Sequence, residues 1–180
     1  MAIMDRKEKV FVVKNISHLK ENLMFLSKSK ENVILLDSNN KKNDYEFIFS
    51  YGKISELKSS DDSLEKLDNY INHVNDWIFG FISYDLKEEI ENLNSKNLKY
   101  FDVPNLSFFQ PSTIWIFDGV ILKALYFDEK KLLEDWSEIN KIHTSSDDNK
   151  NNLNVELKGR LSKEESVSYT HLTLPTNLSV

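Results

Sequence analysis

Histidines, serines and a run of acidic side chains are the residues with the most potential for chemistry in this sequence. His18, His73 and His143 lie far apart and show no paired spacing of the kind that binds a metal ion. No serine lies in the sequence context of a nucleophile elbow. The acidic residues between Asp85 and Glu91 are typical of a solvated helix face. These patterns predict neither a catalytic site nor a metal site.

Charge and composition exclude several classes of partner and chemistry. The 180 residues carry a formal net charge of −6 without clustered basic residues, which disfavours nucleic acid and anionic membrane surfaces. Cysteine is absent, which excludes disulfides, thiolate nucleophiles and Cys-ligated zinc. The four glycines are too scattered for a phosphate-binding loop. No apolar run approaches the ~20 residues that span a bilayer, and residues 1–9 lack an apolar signal core. We therefore expect a cytoplasmic protein.

Short apolar runs rich in β-branched and aromatic residues predict the strands. They lie at residues 9–13, 33–36, 45–51, 77–84, 114–117 and 120–126. The run at 33–36 is typical of a buried strand, and the turn residues Asp37, Ser38 and Asn39 follow it. Asp118 and Gly119 separate the last two runs, which predicts a hairpin. Residues 101–111 are expected to be extended and irregular because they include Pro104 and Pro111.

Helical spacing of apolar residues predicts three amphipathic helices with a charged helix at 85–93 between the second and the third. The apolar positions are Ile16, Leu19, Leu23 and Leu26; Leu64, Leu67, Ile71 and Val74; and Leu132, Leu133, Trp136 and Ile139. Asn15 or Ser17 is placed to cap the first helix, and Asp62 with Glu65 resembles a capping box for the second. Together these elements predict an α+β fold, with an antiparallel-rich sheet and flanking helices.

The run at 77–84 is the most apolar stretch of the chain. Its two faces are both apolar, which predicts a central strand that is covered on both sides. Gly80 removes a side chain from its middle, which indicates that another group approaches closely there. A chain without such cover is expected to expose an apolar patch at this strand.

The C-terminal residues do not fit the rest of the chain. Residues 167–176 show neither helical nor strand periodicity, and they match a translated transposase-type sequencing adapter residue for residue. Residues 166–180 are therefore interpreted as an adapter-derived artefact and excluded from reasoning about the fold. On this interpretation the natural protein continues beyond Glu165.

Two segments carry recognisable motifs. Gly80, Phe81, Tyr84, Asp85 and Leu86 match a strand end of the form Gly-aromatic-x-x-Tyr-Asp-Leu. Leu35, Leu36, Asp37 and Ser38 match an earlier Leu-Leu-acidic-Ser segment. With these motifs the chain resembles the N-terminal region of chorismate-using aminases, a family that includes component I of aminodeoxychorismate (para-aminobenzoate) synthase and of anthranilate synthase. The family has Glu where this chain has Asp37, and residues 161–165 resemble the opening of the family's catalytic domain.

The resemblance implies the N-terminal domain of the chorismate-binding enzyme fold, here truncated. The parent enzyme aminates chorismate with ammonia from a glutamine amidotransferase subunit, on the route to para-aminobenzoate and folate. Its Mg²⁺ and catalytic residues belong to the C-terminal chorismate-binding domain, which this chain lacks. The resemblance therefore implies no cofactor and no catalytic residue here, and it favours a non-catalytic fragment of the aminodeoxychorismate branch.

The resemblance also implies a tryptophan-like pocket in the N-terminal domain. Such a pocket needs an apolar slot for the indole and polar partners for the ammonium and carboxylate groups. The residues that match the motifs, and that could line it, are Leu36, Asp37, Ser38, Gly80, Phe81, Tyr84 and Asp85. The alternative is structural, in which Ser38 only forms a turn while Tyr84 and Asp85 cap the next helix.

The predicted organisation has four parts. Residues 1–143 form the domain that resembles anthranilate synthase component I, and 144–152 form a polar linker. Residues 153–165 begin the missing domain, and 166–180 are the artefact. Two other functions stay open, namely a tryptophan-binding regulatory domain of anthranilate synthase component I and a stand-alone small-molecule-binding module.

Overall fold

A computed structural model describes residues 5–13, 18–39, 44–91, 101–141 and 167. The chain divides into two compact units, Met1–His143 and Thr144–Val180. All the elements given below belong to the first unit. The predicted helix caps Asn15 and Ser17, the linker at 144–152 and the segment at 153–165 lie outside the described residues.

The described residues form an α+β fold with two antiparallel sheets, as the sequence predicts at the level of class. The strands are β1 (Lys7–Phe11), β2 (Ile34–Asp37), β3 (Phe47–Tyr51), β4 (Ser55–Ser59), β5 (Phe79–Ile82), β6 (Leu106–Gln110), β7 (Thr113–Phe117) and β8 (Leu122–Tyr126). The helices are α1 (Leu19–Ser27), α2 (Ser63–Val74), α3 (Lys87–Ile90) and α4 (Glu129–Ile139), with a 3-10 turn at Tyr84–Leu86.

The larger sheet has five strands in the order β1-β8-β7-β3-β2. Every residue of β7 is buried, because this central strand carries apolar or β-branched side chains on both faces. The predicted hairpin between β7 and β8 is confirmed. The Asp118 carboxylate accepts the N–H groups of Val120 at 2.8 Å and Ile121 at 2.7 Å, while Gly119 adopts φ 99°.

Helices α1 and α4 cover one face of the five-stranded sheet and form the main core. Leu19, Leu23 and Leu26 are buried, which confirms the helical spacing that predicted α1. The core also includes the sheet residues Phe11, Phe47, Phe49, Tyr51, Trp115, Phe117, Leu122, Ala124 and Tyr126, and the α4 residues Leu132 and Ile139.

One buried polar network crosses this core. Asp135 of α4 accepts hydrogen bonds from the Tyr51 hydroxyl and from the Lys30 ammonium, the latter at 2.6 Å. The Trp115 indole N–H donates to the Tyr51 oxygen at 3.3 Å. Burial, together with the Asp135 carboxylate, raises the pKa of Tyr51, so the hydroxyl stays protonated. The network therefore fixes α4 on the sheet.

The smaller sheet has three strands in the order β4-β6-β5. Residues 101–111 were expected to be extended and irregular, and their second half is extended but regular, since it forms the central strand β6. The irregular part of the expectation was wrong there because both prolines lie outside β6, Pro104 before it and Pro111 after it. Strand β4 was not predicted, since its alternation of Leu57 with charged residues is too short to stand out.

Strand β5 is shorter than predicted and occupies an edge. Residues 77–84 were interpreted as a central strand, yet among the described residues β5 pairs only with β6. Phe79 is buried, whereas Phe81 and Ile82 are exposed. The predicted close approach at Gly80 is confirmed, because a Cβ there would lie 2.0 Å from the Ser107 carbonyl oxygen and 2.6 Å from Phe108 Cα.

Helix α2 begins with a different cap from the one that the sequence predicts. Asp62 adopts φ 46° and its side chain makes no capping hydrogen bond. Instead, the Glu89 carboxylate accepts the Ser63 N–H at 2.8 Å and the Ser63 hydroxyl at 2.6 Å. The capping box was therefore wrong, because the cap comes from another element and has no local sequence signal.

Arg6 fastens the two sheets to each other. Its guanidinium pairs with Asp76, which precedes β5, at 2.6 Å, and it donates to the carbonyl oxygens of Pro111 at 2.7 Å and Ser112 at 3.3 Å. Pro111 and Ser112 are the whole connection from β6 to β7, so the chain passes between the sheets within two residues. Gln110 donates to the same Asp76 carboxylate at 2.8 Å. We call this group the Arg6 clasp.

The face of the five-stranded sheet opposite the helices packs against the smaller sheet. Its buried residues are Phe79, Ile114 and Ile116, with the partly buried Ile34, Ile48, Phe109 and Leu125 around them. This second cluster is smaller than the main core, and Leu36 and Val10 at the two sides of the sheet are about half exposed. The cover on this face is therefore incomplete.

Candidate ligand-binding site

A cleft of about 530 Å³ lies where β2 ends and β3 begins. Its lining residues are Leu36, Asp37, Ser38, Asp44, Tyr45, Phe47 and Ile48. Strand pairing explains how these residues meet, since Leu36 lies opposite Ile48 and Asp37 lies opposite Phe47 in the antiparallel register. The edge position of β2 leaves the cleft open on one side.

The apolar part of the cleft comes from both strands. Leu36 and Ile48 are opposite each other and share one face of the sheet. Leu36 is 50% exposed, whereas Val33, Ile34 and Leu35 are partly buried, so the prediction of a buried strand at 33–36 was wrong for Leu36. The pattern misled because an edge strand of apolar residues and a buried strand have the same local sequence. Exposed apolar surface next to polar groups is typical of a binding cleft.

Asp37 supplies the negative charge at the cleft and is held in a defined position. Its carboxylate accepts the Asn39 N–H at 2.9 Å, in an Asx turn, and pairs with Lys20 Nζ at 3.1 Å. These two interactions, the backbone hydrogen bond first, hold the pKa of Asp37 below its ordinary value. Lys20 also lies 3.4 Å from Glu46, so one ammonium group is shared between two carboxylates.

Ser38 offers a hydrogen-bonding group without a partner. Its backbone N–H donates to the Glu46 carbonyl oxygen at 2.9 Å, which fixes the residue beside β3. Its Oγ is buried and has no hydrogen-bond partner among the described residues. A buried hydroxyl in this state costs roughly 1–3 kcal/mol. A ligand group that bonds to this oxygen would recover part of that free energy.

The other four predicted site residues lie elsewhere. Gly80 and Phe81 belong to β5, and Tyr84 and Asp85 to the 3-10 turn that follows it. None of the four lines the cleft. Tyr84 is exposed, and the Lys87 ammonium lies 3.9 Å from the centre of its ring. The structure thus groups the first three predicted residues with each other and not with these four, whose role in binding stays a prediction.

Four lining residues were missed by sequence reasoning. Asp44, Tyr45, Phe47 and Ile48 precede or open β3, and only its pairing with β2 brings them to the cleft. The signal that was present is the Asp37-Ser38 turn between two predicted strands, since a short connection makes antiparallel neighbours. The structure supplies the register that places Ile48 opposite Leu36.

The described part of the chain holds no group of three or more His, Cys, Asp or Glu side chains that could bind a metal ion. Within the same residues, no helix is both long and apolar enough to cross a bilayer. Comparison with known proteins finds no family model and no curated protein that matches the chain.

Proposed function

We propose that this chain is the N-terminal, non-catalytic domain of a chorismate-using aminase, of the aminodeoxychorismate synthase component I branch, and that its cleft binds an aromatic amino acid. The observation that carries the proposal is the position of Leu36, Asp37 and Ser38. These residues form the Leu-acidic-Ser motif, and all three line one cleft. The motif that carries the sequence resemblance therefore lies at a cleft of about 530 Å³, which is large enough for a small ligand.

The chemistry of the cleft suits a tryptophan-like ligand. Leu36 and Ile48 offer apolar surface to an indole ring. The carboxylates of Asp37 and Asp44 suit its ammonium group. The Ser38 Oγ, which has no hydrogen-bond partner among the described residues, suits its carboxylate. Each of the three parts of the ligand therefore has a counterpart at one rim of the sheet.

Catalysis is assigned to a part of the parent enzyme outside this chain. In the proposal, a C-terminal chorismate-binding domain holds Mg²⁺ and the reacting groups, and a glutamine amidotransferase subunit supplies ammonia. The described residues contribute no metal-binding group to that reaction. The parent acts in the cytoplasm, on the route to para-aminobenzoate.

Calorimetric titration with L-tryptophan tests the ligand, and two analogues test which groups are recognised. Tryptamine keeps the ammonium and lacks the carboxylate, whereas indole-3-propionate keeps the carboxylate and lacks the ammonium. Because two carboxylates line the cleft, we expect tryptamine to retain more affinity than indole-3-propionate. Equal heats for all three compounds, or none for tryptophan, would contradict the proposed site.

Ser38→Ala locates the binding. Loss of one hydrogen bond of about 1.4 kcal/mol weakens binding roughly tenfold. Ser137→Ala on α4 is the matched control, since this serine lies outside the cleft and the substitution is the same. Tryptophan binding that is unchanged in Ser38→Ala would move the ligand to another site.

An activity assay separates the candidate classes. With chorismate, ammonia and Mg²⁺, the chain is expected to make neither aminodeoxychorismate nor anthranilate. Product above background would overturn the non-catalytic assignment. Tryptophan binding is expected for the proposed domain, for the regulatory domain of the anthranilate branch and for a stand-alone binding module alike, so the product made by the complete parent enzyme separates the branches.

A further inference from the structure

Lys20 of α1 connects the two strands that form the candidate cleft. Its Nζ lies 3.1 Å from an Asp37 carboxylate oxygen at the end of β2 and 3.4 Å from a Glu46 carboxylate oxygen just before β3. The same ammonium lies 5.7 Å from the centre of the Phe47 ring. Asp37 and Phe47 line the cleft, whereas Lys20 does not. One side chain therefore contacts both strands from outside the space that a ligand would fill.

The groups around this ammonium are held by the fold. Leu19 and Leu23 of α1 are buried in the main core, so Lys20 extends from a helix that is anchored on the sheet. On the strand side, the Ser38 N–H donates to the Glu46 carbonyl oxygen at 2.9 Å, which ties the end of β2 to the start of β3. The Lys20 side chain is 33% exposed, so salt and water screen its ion pairs less than those of a fully exposed lysine.

The charges at the cleft do not cancel. Asp37 and Asp44 line it, and Glu46 lies beside it, so three carboxylates are close together. Among the ion pairs of the described residues, Lys20 is the cation that pairs with Asp37 and with Glu46. Its ammonium offsets part of the negative charge and leaves the rest to attract a cation. A ligand with an ammonium group is therefore favoured, and a ligand carboxylate is disfavoured less than it would be without Lys20.

We infer that Lys20 is a specificity-determining residue of the cleft, which shifts its selectivity from bare amines toward amino acids. The inference rests on the proposed function, because it concerns the ligand of the same cleft. Lys20 acts without touching the ligand, since it holds the Asp37 carboxylate in position and offsets negative charge beside the cleft. An amino acid carries a carboxylate that a bare amine lacks. The lysine therefore lowers the electrostatic cost of that carboxylate and weakens the advantage of the amine.

Calorimetric titration of Lys20→Met with L-tryptophan and with tryptamine tests the inference, because the two ligands differ only in the carboxylate. Methionine keeps an unbranched apolar side chain and removes the charge. We expect the ratio of tryptamine affinity to tryptophan affinity to rise about threefold at low ionic strength. A purely structural role would weaken both ligands by the same factor and leave the ratio unchanged. The change in ratio should shrink in about 0.5 M salt, because it is electrostatic.

Two variants control for the substitution. Lys20→Arg keeps the positive charge and should keep the wild-type ratio. Lys9→Met makes the same replacement at the opposite edge of the five-stranded sheet, where Lys9 on β1 pairs with Glu129 at 2.8 Å and is 36% exposed. This variant should also keep the wild-type ratio. An equal change of the ratio in Lys9→Met and Lys20→Met would overturn the inference.

Carboxyl NMR titration tests the contact between Lys20 and Asp37 without a ligand. The Asn39 N–H first, and then Lys20, hold the pKa of Asp37 below its ordinary 3.8. In Lys20→Met this pKa should rise, and in Lys9→Met it should not. An unchanged Asp37 pKa in Lys20→Met would overturn the inference. If the wild type binds tryptophan but the affinity ratio does not change in Lys20→Met, the inference alone fails. If the wild type binds neither ligand, the proposed function fails and the inference fails with it.

Discussion

The two faces of the five-stranded sheet are covered to different degrees. On one face, α1 and α4 bury a continuous core that includes Phe49 and Trp115 with no exposed surface. On the other face, the three-stranded sheet buries Phe79, Ile114 and Ile116 and leaves Phe81 about half exposed. The candidate cleft lies at the rim of the sheet, where its lining includes Ile48 of the second face and Phe47 of the main core.

The largest expected difference in the free energy of unfolding is between truncating a phenylalanine on the helix-covered face and truncating one on the opposite side of the sheet. Phe49→Ala removes a fully buried ring from the main core and should cost roughly 3–5 kcal/mol of the free energy of unfolding. Phe81→Ala removes a half-exposed ring and should cost less than about 1 kcal/mol. Urea denaturation followed by circular dichroism measures both. Similar losses for the two variants would show that the second side is as well packed as the first.

Breaking the Arg6 clasp is expected to have an intermediate effect on the free energy of unfolding, and this effect depends on pH. Burial acts to raise the pKa of Asp76, but hydrogen bonds from Arg6 and Gln110 outweigh it and hold the pKa below its ordinary 3.8. The stabilisation is therefore complete above pH 3.8 and is lost as the pH falls through the lower pKa of the folded state. Asp76→Asn should cost roughly 1–3 kcal/mol at neutral pH, and the difference from wild type should shrink in acid.

Hydrogen exchange of individual amides shows whether Asp76→Asn destabilises the smaller sheet or the whole unit. In Asp76→Asn, the amides of β5 and β6 should exchange faster, while those of β7 and β8 should change little. A uniform increase over both sheets would mean that the clasp stabilises the whole unit and not the contact between the sheets. Asp68→Asn on the exposed surface of α2 is the control for the loss of one negative charge.

The smallest expected effect concerns two buried serines. Ser50 lies on the second face with its Oγ unpartnered among the described residues, whereas the Ser59 hydroxyl donates to the Asp61 carbonyl oxygen at 2.6 Å. Ser50→Ala removes an unsatisfied group and should change stability by less than about 1 kcal/mol, in either direction. Ser59→Ala should cost about 1 kcal/mol. Thermal melts of both variants decide whether the second face tolerates a polar atom at no net cost.

Sequence reasoning succeeded where the signal is local. The Asp118-Gly119 turn and the helical spacing of Leu19, Leu23 and Leu26 each depend on neighbours within one or two turns of chain. It failed where pairing between distant segments decides the outcome. The apolar faces of residues 77–84 indicate a strand but do not say whether that strand lies at a centre or an edge, and the Glu89 cap of α2 comes from 26 residues away.

The same distinction between local signals and distant pairing applies to the residues of the candidate site. Leu36, Asp37 and Ser38 could be found because a motif and a turn mark them along the chain. Asp44 and Tyr45 reach the cleft only through the register of β2 against β3, which the sequence does not specify on its own. Phe81 could not be excluded from the cleft, because its sheet is set by pairing with β6, which lies in a segment that was expected to be extended and irregular.

The two-residue connection from β6 to β7 has a mechanical consequence. Force applied to the smaller sheet has no slack loop to extend, since Pro111 and Ser112 join its central strand directly to the central strand of the larger one. Arg6 donates hydrogen bonds to the carbonyl oxygens of both residues, and these bonds stabilise the connection through which the force is transmitted. Force on the smaller sheet therefore acts directly on β7, the one strand among the described residues whose five side chains are all buried.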